Sequence, residues 1–354
     1  MNEQVTTLEN NLTEKKHRIG YIDLAKGIGI VLVVWAHAKG PLQSYIYQFH
    51  MPFFFILSGL LYSEKSSFKE YLWKKTKSLY MPFVFWNLLI YITKEIVRGS
   101  GALPILKNVG LIVLTLSKDG EFLGATWFLG SLFLVSIFYK ILDLLIKESK
   151  LKPLLLLFIS VSLTAIGFSI NFPLMISRTL ILSLFFAVGA LVKKHKEYFK
   201  ELVGGGTAII CLLMYIGIAS FNSANMGQNE YSNPLLFVTG SILASYAIIV
   251  FCKLFDEKIK ILQPVKRFIM FLGRHTLDIL IWQFVAFRAV ILLQILIYKE
   301  ELTFANLLSF YPVYDASNFW WIAYLVVGIF LPIGFCSLLR LGVWGKAFKK
   351  IHIV

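Results

Sequence analysis

Charged side chains are scarce along most of this chain. Asp, Glu, Lys and Arg make up 16% of its 354 residues, whereas 57% are hydrophobic. A water-soluble domain of this size covers itself with far more polar surface. The shortage excludes a soluble globular protein and predicts helices that are surrounded mostly by lipid.

Acidic residues are scarcer still, with 20 Asp and Glu against 35 Lys and Arg and a formal net charge of +15. A positive chain can bind nucleic acid, but that role needs a continuous basic face. Here the basic residues form short clusters between apolar runs, as the positive-inside rule requires of membrane proteins. We therefore predict membrane lipid as a partner and no nucleic acid.

Cysteines are few, and internal repeats are absent. Cys211, Cys252 and Cys336 lie far apart within apolar runs, which excludes a disulfide framework and gives no metal-ligand spacing. No metal site is predicted. The chain shows no internal repeat, so a transporter built from inverted repeats gains no support. The first apolar run, from Ile19, lacks a cleavage site and is interpreted as an uncleaved first membrane helix.

What the chain does contain is a series of apolar runs of about 20 residues, the length that crosses the hydrocarbon core of a bilayer. They predict an all-α, polytopic membrane protein with about ten transmembrane helices. The predicted spans are 19–38, 44–62, 79–97, 124–146, 153–170, 174–192, 202–220, 234–252, 275–297 and 319–340. The apolar stretch 104–117 is too short to span and is predicted to be interfacial or re-entrant.

The loops between these spans differ strongly in charge. With both termini placed in the cytoplasm, about 24 Lys and Arg residues fall on the inside by the positive-inside rule. The outside loops hold Lys39, Arg98, Lys107, Lys118 and Lys299. We therefore predict a cytoplasmic tail over 1–18, one membrane domain over 19–340 and a second cytoplasmic tail over 341–354. A multi-pass location in the cell membrane follows.

Three ionisable residues fall inside the first span. Asp23 and Lys26 are three residues apart and share a helix face, so they can pair. His37 follows Lys26 by eleven residues, on the same face and roughly 16 Å farther along the axis. Ionisable residues within spans usually face a cavity or a partner. The alternatives are an interfacial helix-start carboxylate for Asp23, snorkelling to headgroups for Lys26, and a structural role for His37.

Other polar side chains reach a similar depth in the outer third of the membrane. His50 lies there in the second span, Arg178 in the sixth and Arg288 in the ninth, and Trp127 opens the fourth. No carboxylate in a span offers the arginines a partner at that level, which favours a pocket. Two predicted outside loops are long and polar: 222–233, and 299–318 with Tyr311, Tyr314 and Asp315. Such loops either face a carbohydrate or form solvated connections between spans.

These residues resemble the motifs of acyltransferase family 3, integral-membrane O-acyltransferases. Asp23-Leu24-Ala25-Lys26-Gly27-Ile28-Gly29-Ile30 with His37 is similar to the first motif. Phe49-His50-Met51-Pro52 with Phe54-Phe55 and Ser58-Gly59 is similar to the second. Lys74-Lys75-Thr76-Lys77 before Pro82 looks like the third, and Trp127-Phe128-Leu129 and Gly273-Arg274-His275-Thr276-Leu277 resemble weaker features. Lys26, in place of the usual arginine, resembles the fucose 4-O-acetylase-like branch.

The resemblance implies about ten membrane helices and transfer of an acyl group, usually acetyl, to a carbohydrate hydroxyl. It implies His37 as the catalytic residue and no permanently bound cofactor. Asp23, Lys26, Lys74, Lys75 and Lys77 would bind the donor, acetyl-CoA. The acceptor or oxyanion pocket would include His50, Trp127, Arg178, Arg288 and Gln283, the last lying where many members carry a late histidine.

The expected reaction transfers the acetyl group of cytoplasmic acetyl-CoA to a hydroxyl of a cell-surface or secreted polysaccharide, in a bacterial plasma membrane, and releases coenzyme A. His37 would act as general base or carry the acetyl group itself. Proteins that assemble envelope polysaccharide are candidate partners. Two other functions stay open: transport or export of a lipid-linked glycan along the same polar track, and a non-catalytic membrane sensor.

Overall fold

The computed structural model describes residues 20–99, 101–116, 122–173, 175–199, 204–258, 262–303, 307, 312–341 and 345. The predicted N-terminal tail, most of the predicted C-terminal tail and Tyr311 lie outside these residues. Helices dominate the described chain, which confirms the all-α prediction.

Seven helices in the described part of the chain are long and apolar enough to cross a bilayer. They are α1 (Gly20–His37), α7 (Trp127–Leu145, entered through a 3-10 turn at Gly124–Thr126), α8 (Lys152–Ser169), α9 (Ile176–Lys194), α12 (Pro234–Lys258), α14 (Thr276–Tyr298) and α15 (Trp320–Leu339). The chain is therefore a multi-pass membrane protein, while the count of ten spans and the orientation of the termini stay predictions.

The remaining helices are shorter. They are α2 (Gln43–Tyr47), α3 (His50–Leu60), α4 (Phe68–Lys75), α5 (Met81–Val97), α6 (Ala102–Thr115), α10 (Lys196–Phe199), α11 (Gly205–Phe221) and α13 (Gln263–Arg274). Both α5 and α11 have 17 residues and lie where spans were predicted. At 14 residues, α6 measures roughly 21 Å, too short for a hydrocarbon core of about 30 Å.

The predicted second span is broken into α2 and α3 at Gln48 and Phe49. Gln48 is 1% exposed, and its side chain is held by hydrogen bonds with the end of α11. Its Nε2 donates to the carbonyl of Asn222 at 2.9 Å, and its Oε1 accepts from Asn222 Nδ2 at 3.0 Å. Ser241 Oγ donates to the Gln48 carbonyl at 2.6 Å. These partners satisfy polar groups that non-helical backbone would otherwise leave unpaired within a membrane.

Helix α1 lies at the centre of the helix bundle. It packs against α3, α12, α13, α14 and α15. Ile30, Val33 and Val34 on this helix are fully buried. Asp23 is buried as well, so the first sequence motif packs against other helices of the protein.

Glycines allow two pairs of helices to approach at backbone distance. A Cβ at Gly27 of α1 would lie 2.0 Å from the carbonyl oxygen of Ile269 on α13, and one at Gly273 would lie 1.9 Å from that of Asp23. Gly59 of α3 and Gly189 of α9 meet in the same reciprocal way, at 2.1 Å from the carbonyls of Phe186 and Ile56. Such contacts are typical of membrane helices that associate through small residues.

A π-helical segment, Thr76–Tyr80, joins α4 to α5. Pro82 lies two residues after it and has no N–H to donate to the carbonyl of Ser78, four residues earlier. The wider register ends with Met81 N–H donating to the Thr76 carbonyl. Pro82 therefore explains why the basic stretch departs from regular α-helix here.

A short β-hairpin follows α11. Strands β1 (Ala224–Asn225) and β2 (Glu230–Tyr231) pair antiparallel through a turn over residues 226–229, in which Asn229 has a φ of +60°. Asn tolerates this left-handed conformation better than most residues. We call residues 222–233 the hairpin; it corresponds to the first of the two predicted outside loops.

Candidate active site

His37 is the last residue of α1, and its protonation pattern is set by Gln283 on α14. Gln283 is fully buried, and its Nε2 donates to the carbonyl of Leu280 at 3.2 Å, which leaves its Oε1 to accept. His37 Nδ1 lies 3.0 Å from that Oε1. Since an amide oxygen only accepts, Nδ1 carries the proton, and Nε2 of the neutral ring has a free lone pair.

His50 begins α3 and faces His37 across a small gap. The two ring centroids are 6.3 Å apart, and the planes are nearly perpendicular at 89°. His50 Nδ1 lies 2.8 Å from the carbonyl oxygen of Ile46, so that nitrogen also carries the proton. The second imidazole therefore presents a lone pair on Nε2 as well.

Aromatic rings enclose the two imidazoles. The ring of Phe284 lies 4.8 Å from that of His37, and the ring of Tyr47 lies 6.0 Å from His37 and 5.4 Å from His50. Tyr47 is fixed because its hydroxyl donates to the carbonyl of Ala36 at 3.2 Å. These rings limit the access of water to the imidazole nitrogens.

The histidines open on a cavity of about 310 Å³, which we call the inner cavity. Its lining residues come from α1, α2, α3, the 3-10 turn before α7, the tip of the hairpin, α14 and the segment before α15. They are His37, Tyr47, His50, Met51, Gly124, Ala125, Trp127, Asn225, Met226, Gly227, Gln228, Phe284 and Pro312. The volume lies at the lower end of the range for small-molecule sites.

Two further predicted pocket residues, Trp127 and Arg178, lie together. Trp127 lines the inner cavity, and the Arg178 guanidinium carbon lies 5.3 Å from the centre of its ring. Arg178 is not among the lining residues, and its buried Nε has no hydrogen-bond partner within the described structure. Arg178 therefore contacts a lining residue, Trp127, but does not line the cavity itself.

Arg288 occupies a different setting, one turn beyond Phe284 on α14. It is 7% exposed, its Nη1 donates to the carbonyl of Leu307 at 2.7 Å, and its guanidinium carbon lies 5.6 Å from the Phe122 ring centre. A backbone carbonyl is therefore one partner of this guanidinium. Arg288 does not line the inner cavity.

At the other end of α1, Lys26 and the basic helix α4 come together. Lys75 is partly buried, and its Nζ lies 5.4 Å from the ring centre of Tyr71. Burial, together with the positive charges of Lys74 and Lys26, lowers the pKa of Lys75 to about 8. Lys77 differs because its Nζ lies over Trp73, 4.6 Å from the ring centre. The structure thus groups Lys26, Lys74 and Lys75 and places Lys77 against an exposed aromatic ring.

The late sequence motif, residues 273–277, contributes to the packing around α1. Arg274 Nε lies 3.4 Å from Asp23 Oδ2, which gives Asp23 a cationic partner on α13 besides the predicted Lys26. His275 Nδ1 lies 2.7 Å from the buried Asp278 carboxylate, and Arg340 contacts both oxygens of that carboxylate at 2.7 and 2.9 Å. These ion pairs join α1, α13, α14 and the end of α15, and sequence reasoning identified neither Asp278 nor Arg340 as a functional partner.

A second buried charge cluster was also missed. Asp143 on α7 accepts from the Tyr62 hydroxyl at 2.6 Å and pairs with Lys152 at 2.9 Å and Lys140 at 3.6 Å. Lys140 is fully buried and donates to the carbonyl of Glu64 at 2.8 Å. The spacing of three between Lys140 and Asp143 is the only signal in the sequence, because Tyr62 and Lys152 come from other elements.

Sequence reasoning missed Tyr47 and Phe284 beside His37, as well as the cavity residues of the hairpin tip and of the turn before α7. Met226, Gly227 and Gln228 carry no charge, and Gly124 and Ala125 have little side chain. Only the Asn, Ser and Gln content of residues 222–233 pointed to this loop.

The chain is similar in sequence to known proteins. The nodulation protein NolL of Mesorhizobium japonicum (strain LMG 29417 / CECT 9101 / MAFF 303099) is 27% identical over 306 residues, which cover 77% of each chain. No solved structure matches significantly. The sequence model of the family described as an acyltransferase domain matches residues 19–341. The chain therefore belongs to acyltransferase family 3 and is a membrane O-acyltransferase.

Proposed function

We propose that this enzyme transfers an acetyl group from cytoplasmic acetyl-CoA to a carbohydrate hydroxyl outside a bacterial plasma membrane. The observation that supports the proposal best is the His37–Gln283 pair. It holds a neutral imidazole in one tautomer, with the free Nε2 at an aromatic-walled cavity. A positioned neutral imidazole of this kind is the usual general base for a hydroxyl nucleophile.

The grouped lysines support the choice of donor. Lys26, Lys74 and Lys75 gather positive charge at the end of α1 opposite His37, where it suits the phosphates of coenzyme A. The eleven residues from Lys26 to His37 measure roughly 16 Å along the helix. An extended pantetheine arm has a similar length. If the phosphates of coenzyme A bind the lysines, its thioester therefore lies beside the imidazole of His37.

The transfer then proceeds in three linked events. His37 Nε2 removes the proton from the acceptor hydroxyl while the hydroxyl oxygen attacks the thioester carbonyl. The tetrahedral intermediate collapses with cleavage of the carbon–sulfur bond. The imidazolium returns its proton to the departing thiolate, which leaves an acetyl ester and free coenzyme A.

We assign His50 to binding of the acceptor. In its present tautomer, His50 Nε2 offers a lone pair, so it can accept a hydrogen bond from a sugar hydroxyl but cannot donate one to an oxyanion. Transfer through an acetyl-His37 intermediate uses the same geometry and differs in one property, since labelled acetyl would then stay on the protein in the absence of acceptor.

The test is reconstitution of the purified enzyme in vesicles with radiolabelled acetyl-CoA, comparing wild type with His37→Ala. His195→Ala is the matched control because His195 follows α9 and does not line the inner cavity. We expect label to reach protein, water or added glycan with wild type and the control but not with His37→Ala. Activity retained in His37→Ala contradicts the assignment, and glycan transport without consumption of acetyl-CoA favours the transporter alternative.

A further inference from the structure

A second cavity of about 650 Å³ adjoins the inner cavity, between α2 and the hairpin; we call it the outer cavity. The two cavities share Tyr47 and Asn225 in their linings. A ligand group in the outer cavity is therefore separated from one beside His37 by a single layer of side chains. The outer volume falls in the middle of the range for small-molecule sites, whereas the inner cavity holds only a small group.

The lining of the outer cavity is rich in neutral hydrogen-bonding groups. Gln43 and Ser44 come from α2, and Ser223, Asn225 and Ser232 come from the hairpin. Lysine and arginine do not occur among the described residues of this lining, whose one charged member is Glu230. Hydroxyl and amide groups with nearby tyrosine rings suit a sugar, and the Glu230 carboxylate opposes an anionic one.

The wall formed by the hairpin is held in place before any ligand binds. Ser232 Oγ donates to Asn222 Oδ1 at 2.7 Å and accepts from the Ser223 N–H at 2.8 Å. Asn222 is held in turn by the buried Gln48 side chain. A preorganised wall loses little entropy on binding, which is a property of binding sites rather than of loose connectors.

Two residues of the lining hold buried polar atoms that the described structure leaves without a hydrogen-bond partner. These atoms are Gln43 Oε1 and the Tyr231 hydroxyl. An unsatisfied buried polar atom costs free energy, and a ligand that supplies its partner recovers that cost. Both residues line the same cavity, so rotation of either side chain would bring its unpaired atom to a hydroxyl group of a ligand.

We propose that the outer cavity binds a second, uncharged sugar residue of the acceptor, next to the residue that is acetylated at His37. The hairpin and α2 then select an oligosaccharide or polysaccharide acceptor over a monosaccharide. This inference rests on the proposed function, because it assumes that a carbohydrate is the acceptor.

The experiment uses the envelope glycan of the source cells, freed of existing esters by mild alkali and divided into two probes. One probe is a mixture of oligosaccharide fragments, and the other is its complete hydrolysate to monosaccharides. Transfer from radiolabelled acetyl-CoA is measured with vesicle-reconstituted wild type, Ser44→Trp, Tyr231→Phe and Glu230→Lys. Ser44→Trp fills the outer cavity, and Tyr231→Phe removes only a hydroxyl that has no partner in the protein.

We expect wild type to acetylate the fragments at least tenfold better than the hydrolysate. Ser44→Trp should remove this preference, and Tyr231→Phe should weaken it about three- to tenfold, as for loss of one ligand hydrogen bond. Glu300→Lys is the matched charge control, since Glu300 is exposed and lies outside the lining. It should behave as wild type.

Equal use of the two probes by wild type overturns the inference, as does unchanged preference in both Ser44→Trp and Tyr231→Phe. Improved transfer in Glu230→Lys shows that an anionic residue binds and overturns the uncharged assignment. If Ser44→Trp fails to fold, Tyr231→Phe decides alone, because removing an unpaired hydroxyl should not destabilise the protein. Wild type that neither transfers acetyl nor hydrolyses acetyl-CoA contradicts the proposed function itself.

Discussion

At the scale of single residues, the orientation of His37 depends on a partner 246 positions later in the chain. Gln283 is fixed by Leu280, His37 is fixed by Gln283, and the reactive lone pair is a consequence of both contacts. An imidazole without this partner samples two tautomers and several ring orientations. In the proposed mechanism, Gln283 is therefore a positioning residue that acts through His37.

Replacing Gln283 with Leu should lower kcat by up to about 100-fold, the scale on which a mispositioned general base loses its contribution. The KM for acetyl-CoA should stay close to that of wild type, because Gln283 is remote from the lysines. Gln283→Glu still accepts from Nδ1–H and should recover much of the rate. Steady-state kinetics in detergent would separate these effects, and equal loss in the Leu and Glu variants would refute the positioning role.

A second residue-scale prediction concerns Lys75. Its pKa of about 8 means that its positive charge is largely present at pH 7 and largely lost at pH 9 in the free enzyme. If Lys75 binds the phosphates of the donor, the KM for acetyl-CoA should rise over this interval. Lys75→Arg stays charged and should flatten the profile. The same pH dependence in wild type and Lys75→Arg would exclude Lys75 as its origin.

Depth in the membrane, counted along the sequence, grouped five residues that the structure only partly brings together. His37, His50 and Trp127 were expected at one level, and all three line the inner cavity. Arg178 and Arg288 share that level but contact the cavity only through neighbours or not at all. Depth along a helix axis follows from residue number, whereas the direction of a side chain around that axis depends on which helices become neighbours.

At the scale of elements, glycines allow two pairs of helices to come into close contact. Gly27 and Gly273 bring α1 and α13 into backbone contact, and Gly59 and Gly189 do the same for α3 and α9. The first contact positions the helix that carries His37, and the second positions the helix that carries His50. Gly27 lies ten residues before His37, and Gly59 lies nine residues after His50, so each close contact is remote from the imidazole on its helix.

Gly273→Ala should separate α1 from α13, because the new Cβ would meet the Asp23 carbonyl at 1.9 Å. We expect destabilisation of about 1–3 kcal/mol, the usual cost of overpacking. Gly217→Ala on α11 is the matched control, since no atom lies within 4 Å of its Cβ. Thermal unfolding in detergent measures both, and a Gly273→Ala protein as stable as Gly217→Ala would disprove the close contact.

The break between α2 and α3 shows why one predicted element took a different form. Residues 44–62 are apolar enough for an unbroken span, but Pro52 has no N–H to donate to the carbonyl of Gln48, four residues earlier. Ser241 donates to that carbonyl instead, and Asn222 holds the Gln48 side chain. Pro52 is therefore a local signal for the break, whereas the partners that stabilise it come from distant parts of the sequence.

At the scale of the whole molecule, composition and hydropathy predicted the positions of the long helices. Each of the seven long helices overlaps a span predicted from the sequence. The three other predicted spans are a broken helix and two helices of 17 residues, so the number of crossings depends on how these segments sit in the bilayer. Charge asymmetry favours ten crossings with both ends in the cytoplasm.

Topology can be tested by cysteine labelling of intact cells in a background without Cys211, Cys252 and Cys336. A membrane-impermeant maleimide should label Asn225→Cys, whose residue lies in the hairpin, but label Lys65→Cys only after permeabilisation. The reason is that the positive-inside rule places Lys65 in the cytoplasm. Labelling of Lys65→Cys in intact cells would reverse the orientation and exclude a cytoplasmic donor at Lys74 and Lys75.

The ion pair between Asp23 and Arg274 has a consequence for how the protein is made. The two residues are separated by 251 positions, and ribosomes add roughly 5–20 residues per second. Asp23 is therefore synthesised about 12–50 s before its partner on α13. During that interval the carboxylate depends on other partners, such as Lys26 on its own helix or water at the insertion machinery. The contacts of His37 with Gln283 and Phe284 also form late, because both residues follow Arg274 in the sequence. In the proposed mechanism, an incomplete chain therefore lacks the groups that position His37 and should not hydrolyse acetyl-CoA.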